Sequence, residues 1–377
     1  MRVGLDGIPL SELKTGVGHY TFELGQALAC MASEDQFDLV SPFPYARVSE
    51  GESNQELPPN LRLLTTDLNA LCRRSWWSIG LPFHINRSTF ALFHGTNYNV
   101  PLWNRCPTIL TIHDLSLILY PETHEKYLVR RARWRLPMMA RAATAIITPS
   151  ETVRRELCEH LKIKASKIFV TPLAPRRSFR RLPFAENIQT LRRLDIDKDF
   201  ILFVGTIEPR KNLVTLARAF DEILRTTSLR PLLVIAGKQG WLSGELYSYL
   251  KRAQFDGLVR FTGYISDNDL CALYSSCRVF AYPSLYEGFG LPLLEAMACC
   301  APVITSRKPS IMETVGDSAR LVSPTDFREL AQTITGVLKN PHERDFLISA
   351  GLKRAAEFSW NRTASATLDV YRAILKR

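Results

Sequence analysis

Two acids stand on either side of a glycine loop. Tyr286-Glu287-Gly288-Phe289-Gly290-Leu291-Pro292 places two glycines around one aromatic residue, and Glu295 follows Glu287 after seven intervening residues. Glycine lets the backbone turn tightly and approach a ligand closely. Pro292 suits the first turn of a helix, where an N–H has no intrahelical partner, and residues 293–298 are good helix formers. A glycine loop that feeds a helix start offers backbone N–H groups and the positive end of a dipole to an anion. An ionised carboxylate only accepts hydrogen bonds, which suits the vicinal hydroxyls of a ribose or a hexose. An anion site flanked by two diol acceptors points to a sugar nucleotide.

A basic cluster lies upstream. The apolar run 200–204 leads into Gly205-Thr206-Ile207-Glu208-Pro209-Arg210-Lys211-Asn212, and residues 214–224 have helical periodicity with Asn212 at the N-cap position. Arg210 and Lys211 therefore fall at the C-terminal end of a strand and just before a helix. Fixed cations there would bind a diphosphate and stabilise its charge as it leaves.

The spacing of Glu287 and Glu295 around Gly-Phe-Gly-Leu-Pro resembles the signature of the family-4 retaining glycosyltransferases, and Glu208-Pro209-Arg210-Lys211-Asn212 matches that family too. The wording from Val204 to Asn212 is similar to that of bacterial polysaccharide mannosyltransferases. The resemblance covers nearly all of the chain, most strongly over 200–316 and least over 40–90. It implies an α/β protein of the GT-B fold: two Rossmann-like domains facing across a cleft, with the C-terminal helix crossing back to the first. It implies Glu295 on the ribose and Glu287 on the donor sugar. Lys211, Arg210 and the backbone of Gly290 and Leu291 would hold the diphosphate. Gly288, Phe289, Ser284, Thr206, Gly237, Lys238, Tyr264 and Ile265 would complete the donor site, the Tyr264–Ile265 stretch running beside the base. From the first domain, Gly16 and Gly18 would face the diphosphate, and His113 would contact the donor sugar or its phosphate. His94 and Asn97 are candidates for the acceptor side. Many members carry arginine directly after the first glycine of the basic loop; Thr206 stands there, and Arg210 is positioned to replace it. Arg307 and Met312 also depart from the usual small polar residue and proline.

The elements that must position these residues follow from the pattern. Short apolar runs at 3–6, 37–40, 61–64, 90–93, 108–112, 145–150 and 168–172 alternate with helical stretches, and the alternation restarts at 200–204, 232–236, 259–261, 279–284 and 302–306. Alternating β/α units imply parallel sheets, whose ligands bind beyond the strand C-termini. His94 and His113 both follow such runs. Residues 14–20 read as a glycine loop before a helix from Tyr20 to Ala29. Proline and arginine pairs mark 173–199 as the linker, with a short helix near 188–193, which gives domains at 1–178 and 185–358. Helix 360–377, with Ala364, Leu368, Tyr371 and Leu375 on one side, is expected to return to the first domain.

Composition sets further bounds. At 377 residues two domains are expected, and 46% apolar with 23% charged residues is ordinary for a globular protein. No apolar run reaches the ~18 residues of a membrane span. The eight scattered cysteines, none in a Cys-x-x-Cys pair, fit a reducing cytoplasm. The net charge is +11, and residues 126–181 alone hold fifteen Lys or Arg against Glu151, Glu156 and Glu159. Pro137 is expected to interrupt the arginine-rich helix that opens this segment. Such a surface suits an anionic leaflet or a polyprenyl-diphosphate-linked acceptor.

The expected reaction is transfer of a hexose from a nucleotide sugar, GDP-mannose first, to a glycan or lipid-linked acceptor in cell-surface polysaccharide synthesis. Retention with front-face attack is expected, because no carboxylate is placed as a nucleophile. No cofactor and no metal are expected, since no Asp-x-Asp or ligand cluster is present and Lys and Arg can neutralise a diphosphate. A cytoplasmic setting is expected, with peripheral contact at the inner membrane face. Three alternatives stay open: a UDP-hexose donor, a sugar-nucleotide 2-epimerase of the same fold, and a basic nucleic-acid-binding protein. The last would show steep salt dependence, but the chain carries no nucleic-acid-binding module.

Overall fold

The computed structural model describes residues 1–376 apart from 13, 46–56, 68–69, 104, 254 and 256. Thirteen strands among them form two parallel sheets, whose central strands are apolar and buried on both faces. The first sheet contains β1 (Arg2–Asp6), β2 (Gln36–Ser41), β3 (Leu61–Thr65), β4 (Leu92–Gly95), β5 (Thr108–Thr111), β6 (Ala145–Thr148) and β7 (Ile168–Val170), in the order β3-β2-β1-β4-β5-β6-β7. Val3 pairs with Phe37 on one side and Leu92 on the other, so the order reverses at β1. The second sheet contains β8 (Phe200–Val204), β9 (Leu232–Ala236), β10 (Val259–Gly263), β11 (Val279–Tyr282), β12 (Val303–Ser306) and β13 (Arg320–Val322), in the order β10-β9-β8-β11-β12-β13. Its reversal lies at β8, the strand that carries the basic loop.

The chain divides into two compact units. The first comprises Met1–Leu115, Arg130–Ala174 and Phe358–Arg377; the second comprises Ser116–Val129 and Pro175–Glu357. Residues 116–129 thus group with the second sheet, which no local signal foretold. The stretch expected as a linker also belongs to the second unit from Pro175 onward, and its helix is longer than expected, Phe184–Arg193. Strand β13 was not read from the sequence.

Three local expectations are corrected. Gly16 and Gly18 do not form a loop; they open the helix Gly16–Met31, whose first turn starts at Thr15. A Cβ on Gly18 would come within 2.8 Å of the Pro9 carbonyl oxygen, so close backbone packing accounts for that glycine. The helix Lys126–Ala142 runs through Pro137 without a break. In the last helix, Trp360–Leu375, Leu375 is exposed and Ile374 takes the buried place. Ala364, Leu368 and Tyr371 face inward as expected. Ser359 caps this helix, its hydroxyl accepting from the Arg362 N–H. Within the first unit, Thr363 Oγ1 donates to the Pro172 carbonyl at 2.6 Å, and the Trp360 ring lies 6.3 Å from that of Tyr20.

Candidate active site

In the second unit three strand ends converge. The Gly205 N–H donates to the Ala236 carbonyl and the Gly237 N–H to the Gly263 carbonyl, each at 2.9 Å, while Ile207 N–H reaches Lys238 O at 3.0 Å. A Cβ on Gly237 would stand 2.1 Å from the Gly205 oxygen, and its φ is +144°. Only glycine fits there. This convergence gathers the loops that carry Thr206, Gly237, Lys238, Tyr264 and Ile265; Lys238 and Tyr264 are exposed, Thr206 and Ile265 half-buried.

The basic loop then folds back on the glycine loop. Pro209–Lys211 form a 3-10 turn, and Asn212 follows in the left-handed region at φ +59°. Its side chain does not cap the helix Leu213–Thr226. Instead Asn212 Nδ2 donates to the carbonyls of Pro283 (2.9 Å) and Pro324 (2.6 Å), which pins the turn against the end of β11. The Leu285 N–H donates to Arg210 O at 2.9 Å. Arg210 Nη1 donates to Tyr286 O at 3.0 Å and to Glu287 Oε2 at 3.1 Å, and its Nη2 to Glu208 Oε1 at 2.6 Å. Lys211 Nζ donates to Glu287 Oε1 at 2.6 Å and to the Tyr282 hydroxyl at 2.7 Å; that hydroxyl in turn donates to Glu287 Oε1 at 3.0 Å.

Glu287 is 7% exposed in this cluster. Burial alone would raise its pKa, but the Lys211 and Arg210 charges outweigh that and hold the carboxyl at about 2. Burial, with Arg210 beside it, lowers the pKa of Lys211, and Glu287 offsets part of the fall. Two carboxylates, Glu208 and Glu287, thus fix two cations in place within a largely dry site, where a hydrogen bond or a charge acts more strongly than in water.

The glycine loop is held by its own neighbours. Ser310 Oγ donates to Glu287 O, and Thr314 Oγ1 to Phe289 O at 2.6 Å, both from the helix Pro309–Val315. Gly288 and Ser284 are buried, and the buried Phe289 ring faces the interior rather than open space. Gly290 has φ +93°, and the helix Leu291–Ala298 starts directly after it, so the turn is one that glycine adopts without strain. Glu295 lies in this helix at 3% exposure, and both its oxygens are already engaged. Arg176 Nε donates to Oε1 at 2.6 Å and Nη2 to Oε2 at 3.0 Å.

In the first unit the expected residues have different fates. His113 follows β5 and is half-buried; its Nε2 donates to Thr96 O at 2.8 Å, which fixes the tautomer and leaves Nδ1 as the acceptor. The rings of Tyr20 and Tyr98 stand edge-on to it at 4.8 and 5.7 Å. Burial lowers its pKa, with Thr96 and Asp114 opposing, so the ring is neutral. Asn97 is half-buried beyond β4. His94 is not on an accessible surface. It is fully buried, with Nδ1 2.7 Å from the Tyr371 hydroxyl and Nε2 2.7 Å from Thr111 Oγ1. Both nitrogens are used inside the core, and burial pushes its pKa down to about 3. It is a structural residue and not an acceptor ligand.

Comparison with known proteins agrees with this geometry. A model of "Glycosyltransferase Family 4" matches residues 14–174, and one of "Glycosyl transferases group 1" matches 186–354. The O-antigen chain mannosyltransferase B of Escherichia coli is 31% identical over 97% of this chain and 98% of its own. This chain belongs to glycosyltransferase family 4. It is also 31% identical over 74% of its length to a serotype-specific mannosyltransferase of Escherichia coli, of which it spans about a third. The sucrose-phosphate synthase of Thermosynechococcus elongatus superposes with a TM-score of 0.80 at 22% identity, covering 100% of this chain and 99% of that one. The fold is therefore GT-B, and this family-4 glycosyltransferase is a hexose-transferring enzyme that uses a nucleotide sugar.

Sequence reasoning missed three site residues of this glycosyltransferase. Tyr282 bridges Lys211 and Glu287 from the end of β11, a place that the strand-end rule could have flagged. Glu208 lies inside the motif and holds Arg210. Arg176 comes from the supposed linker, and no local signal links it to a carboxylate 119 residues away.

Proposed function

We propose that this enzyme transfers mannose from GDP-mannose, with retention, to a glycan acceptor in cell-surface polysaccharide synthesis. The observation that carries the reading is the Lys211–Glu287–Arg210 cluster set directly before the start of helix Leu291–Ala298. Lys211, Arg210 and the Gly290 and Leu291 amides are suited to a diphosphate, and the helix dipole adds to them. Glu287, ionised throughout the physiological range, suits the donor sugar's hydroxyls, and Glu295 those of the ribose. In the reaction the bond from the anomeric carbon to the phosphate oxygen breaks while the acceptor oxygen bonds to the same face. The acceptor's proton passes to the departing diphosphate. Fixed cations stabilise the charge that develops on that leaving group, so activity should not need a metal.

Mannose as the sugar is supported by the name of the relative aligned along its whole length. Contact with an anionic leaflet is supported by helix Lys126–Ala142, which exposes Arg130, Arg131, Arg133 and Arg141 together with Trp134 at 58%. No helix among the described residues is long and apolar enough to cross a membrane. The test is a thermal-shift and turnover panel of GDP-mannose, UDP-glucose, UDP-galactose and their nucleotides, with and without EDTA. GDP-mannose should stabilise the protein most and be turned over in EDTA. A UDP-sugar that exceeds it in both readouts refutes the donor assignment, and loss of turnover in EDTA refutes metal independence.

A further inference from the structure

We infer that Arg176 is a positioning residue that clamps Glu295 in the orientation needed to receive the nucleotide's ribose hydroxyls. The inference rests on the ribose role given to Glu295 above. Arg176 follows the first unit's Ala174 by two residues and is buried against the helix that carries Glu295. Its guanidinium meets the carboxylate fork to fork, Nε on Oε1 and Nη2 on Oε2, a geometry that lysine cannot reproduce. The remaining nitrogen, Nη1, pairs with Asp267 at the start of the helix Asp267–Ser276. The plane is held from a further side, since the guanidinium carbon lies 4.0 Å from the centre of the Phe179 ring.

A carboxylate has about four acceptor positions. The fork takes one on each oxygen and leaves one on each, and two adjacent acceptors are what a vicinal diol requires. The charge matters as much as the orientation. Besides Arg176, the groups facing Glu295 are Asp267 and the Tyr274 hydroxyl from helix Asp267–Ser276 and the Cys299 thiol beyond its own helix. The helix Pro341–Ala356 packs on the same helix through the uncharged Gly351 against Met297. Burial and Asp267 both favour the protonated acid; Arg176 alone opposes them. A protonated Glu295 would lose acceptor capacity and present a donor in its place.

The test measures affinity for GDP and for UDP by calorimetry from pH 6 to pH 9 in the full chain and in Arg176→Met, Arg176→Lys and Glu295→Gln. The wild type should bind its nucleotide with little pH dependence. Arg176→Met should bind more weakly than the wild type, and most weakly at low pH, because no cation then opposes the burial that favours the protonated acid. Arg176→Lys, which keeps the charge without the fork, should bind more weakly than the wild type with a flat profile. This variant decides the matter if Arg176→Met does not fold. Equal loss of Arg176→Met affinity at every pH, or wild-type affinity in Arg176→Lys, overturns the positioning role. If Glu295→Gln leaves GDP and UDP affinity intact, the ribose assignment itself fails, an outcome separate from the other two.

Discussion

Glu287→Gln separates the two tasks that the cluster performs. The substitution keeps the side chain's size and removes its charge, so Lys211 Nζ and Arg210 Nη1 face an amide where a carboxylate stood at 2.6 and 3.1 Å. The carboxyl's folded pKa of about 2 against an ordinary 4.5 corresponds to ~3 kcal/mol of folding free energy at neutral pH. Because the folded value is the lower one, this stability is fully present above about pH 4.5 and is lost as pH falls towards 2. At pH 7.5 the second unit's melting temperature should therefore drop by roughly 6–12 °C. Turnover should fall by about 10²-fold, the worth of a charge-assisted hydrogen bond to a sugar hydroxyl. Nucleotide affinity should hold or tighten, because the variant frees Lys211 from a competing anion and leaves Arg210 paired with Glu208 alone. Calorimetric unfolding, titration with GDP and UDP, and steady-state kinetics read these three effects separately. Turnover within threefold of wild type, or nucleotide affinity that falls in step with it, would refute the reasoning.

Three further outcomes are expected. Gly237→Ala should destabilise the second unit by more than ~1 kcal/mol, since its Cβ meets the Gly205 carbonyl at 2.1 Å; Gly244→Ala, with nothing within 4 Å, should not, and differential scanning calorimetry compares them. His94 is held neutral, with a pKa of about 3 against 6.5, so it costs the first unit stability as pH falls from 6.5; buried Asp6, raised from 3.8 to about 7, does the opposite over 3.8 to 7. The wild type's first transition should thus change little between pH 6.5 and 5, whereas in His94→Gln it should gain ~2 kcal/mol over that span. Vesicles rich in phosphatidylglycerol should retain the protein on sedimentation and lose it in 0.5 M salt, and replacing Arg130, Arg131 and Arg133 with Gln should abolish retention; equal binding to neutral vesicles would contradict this.

Much of the second unit was legible because its determinants are local. The run 200–204 is buried on both faces and can only be a central strand, and Gly290 marks a turn that the following Pro292 confirms as a helix entry. Arg210 and Lys211 were readable as site residues because a strand end, a turn and a helix start follow one another in sequence. What failed was long-range. His94 and His113 both stand after apolar runs, and nothing near them distinguishes a core residue from an accessible one; the difference is made by Tyr371, 277 residues from His94. Gly16 and Gly18 read as a loop because glycine disfavours helices, yet at Gly18 close approach to Pro9 makes the absence of a side chain an advantage. The pairing of Arg176 with Glu295 joins an apparent linker to the donor helix, and such pairing is invisible to any window of sequence.

The return of helix Trp360–Leu375 to the first unit bears on how the chain is made. That helix supplies Tyr371, the hydroxyl that satisfies buried His94, and Thr363, which ties down Pro172. A ribosome delivers these residues only after every part of the second unit has been synthesised. The earliest strands must therefore wait with an open groove and unsatisfied polar groups while the later half closes around its own sheet. Released chains that end at residue 357 should carry a protease-resistant second unit beside a labile first one, an inversion of the usual N-to-C order of domain folding.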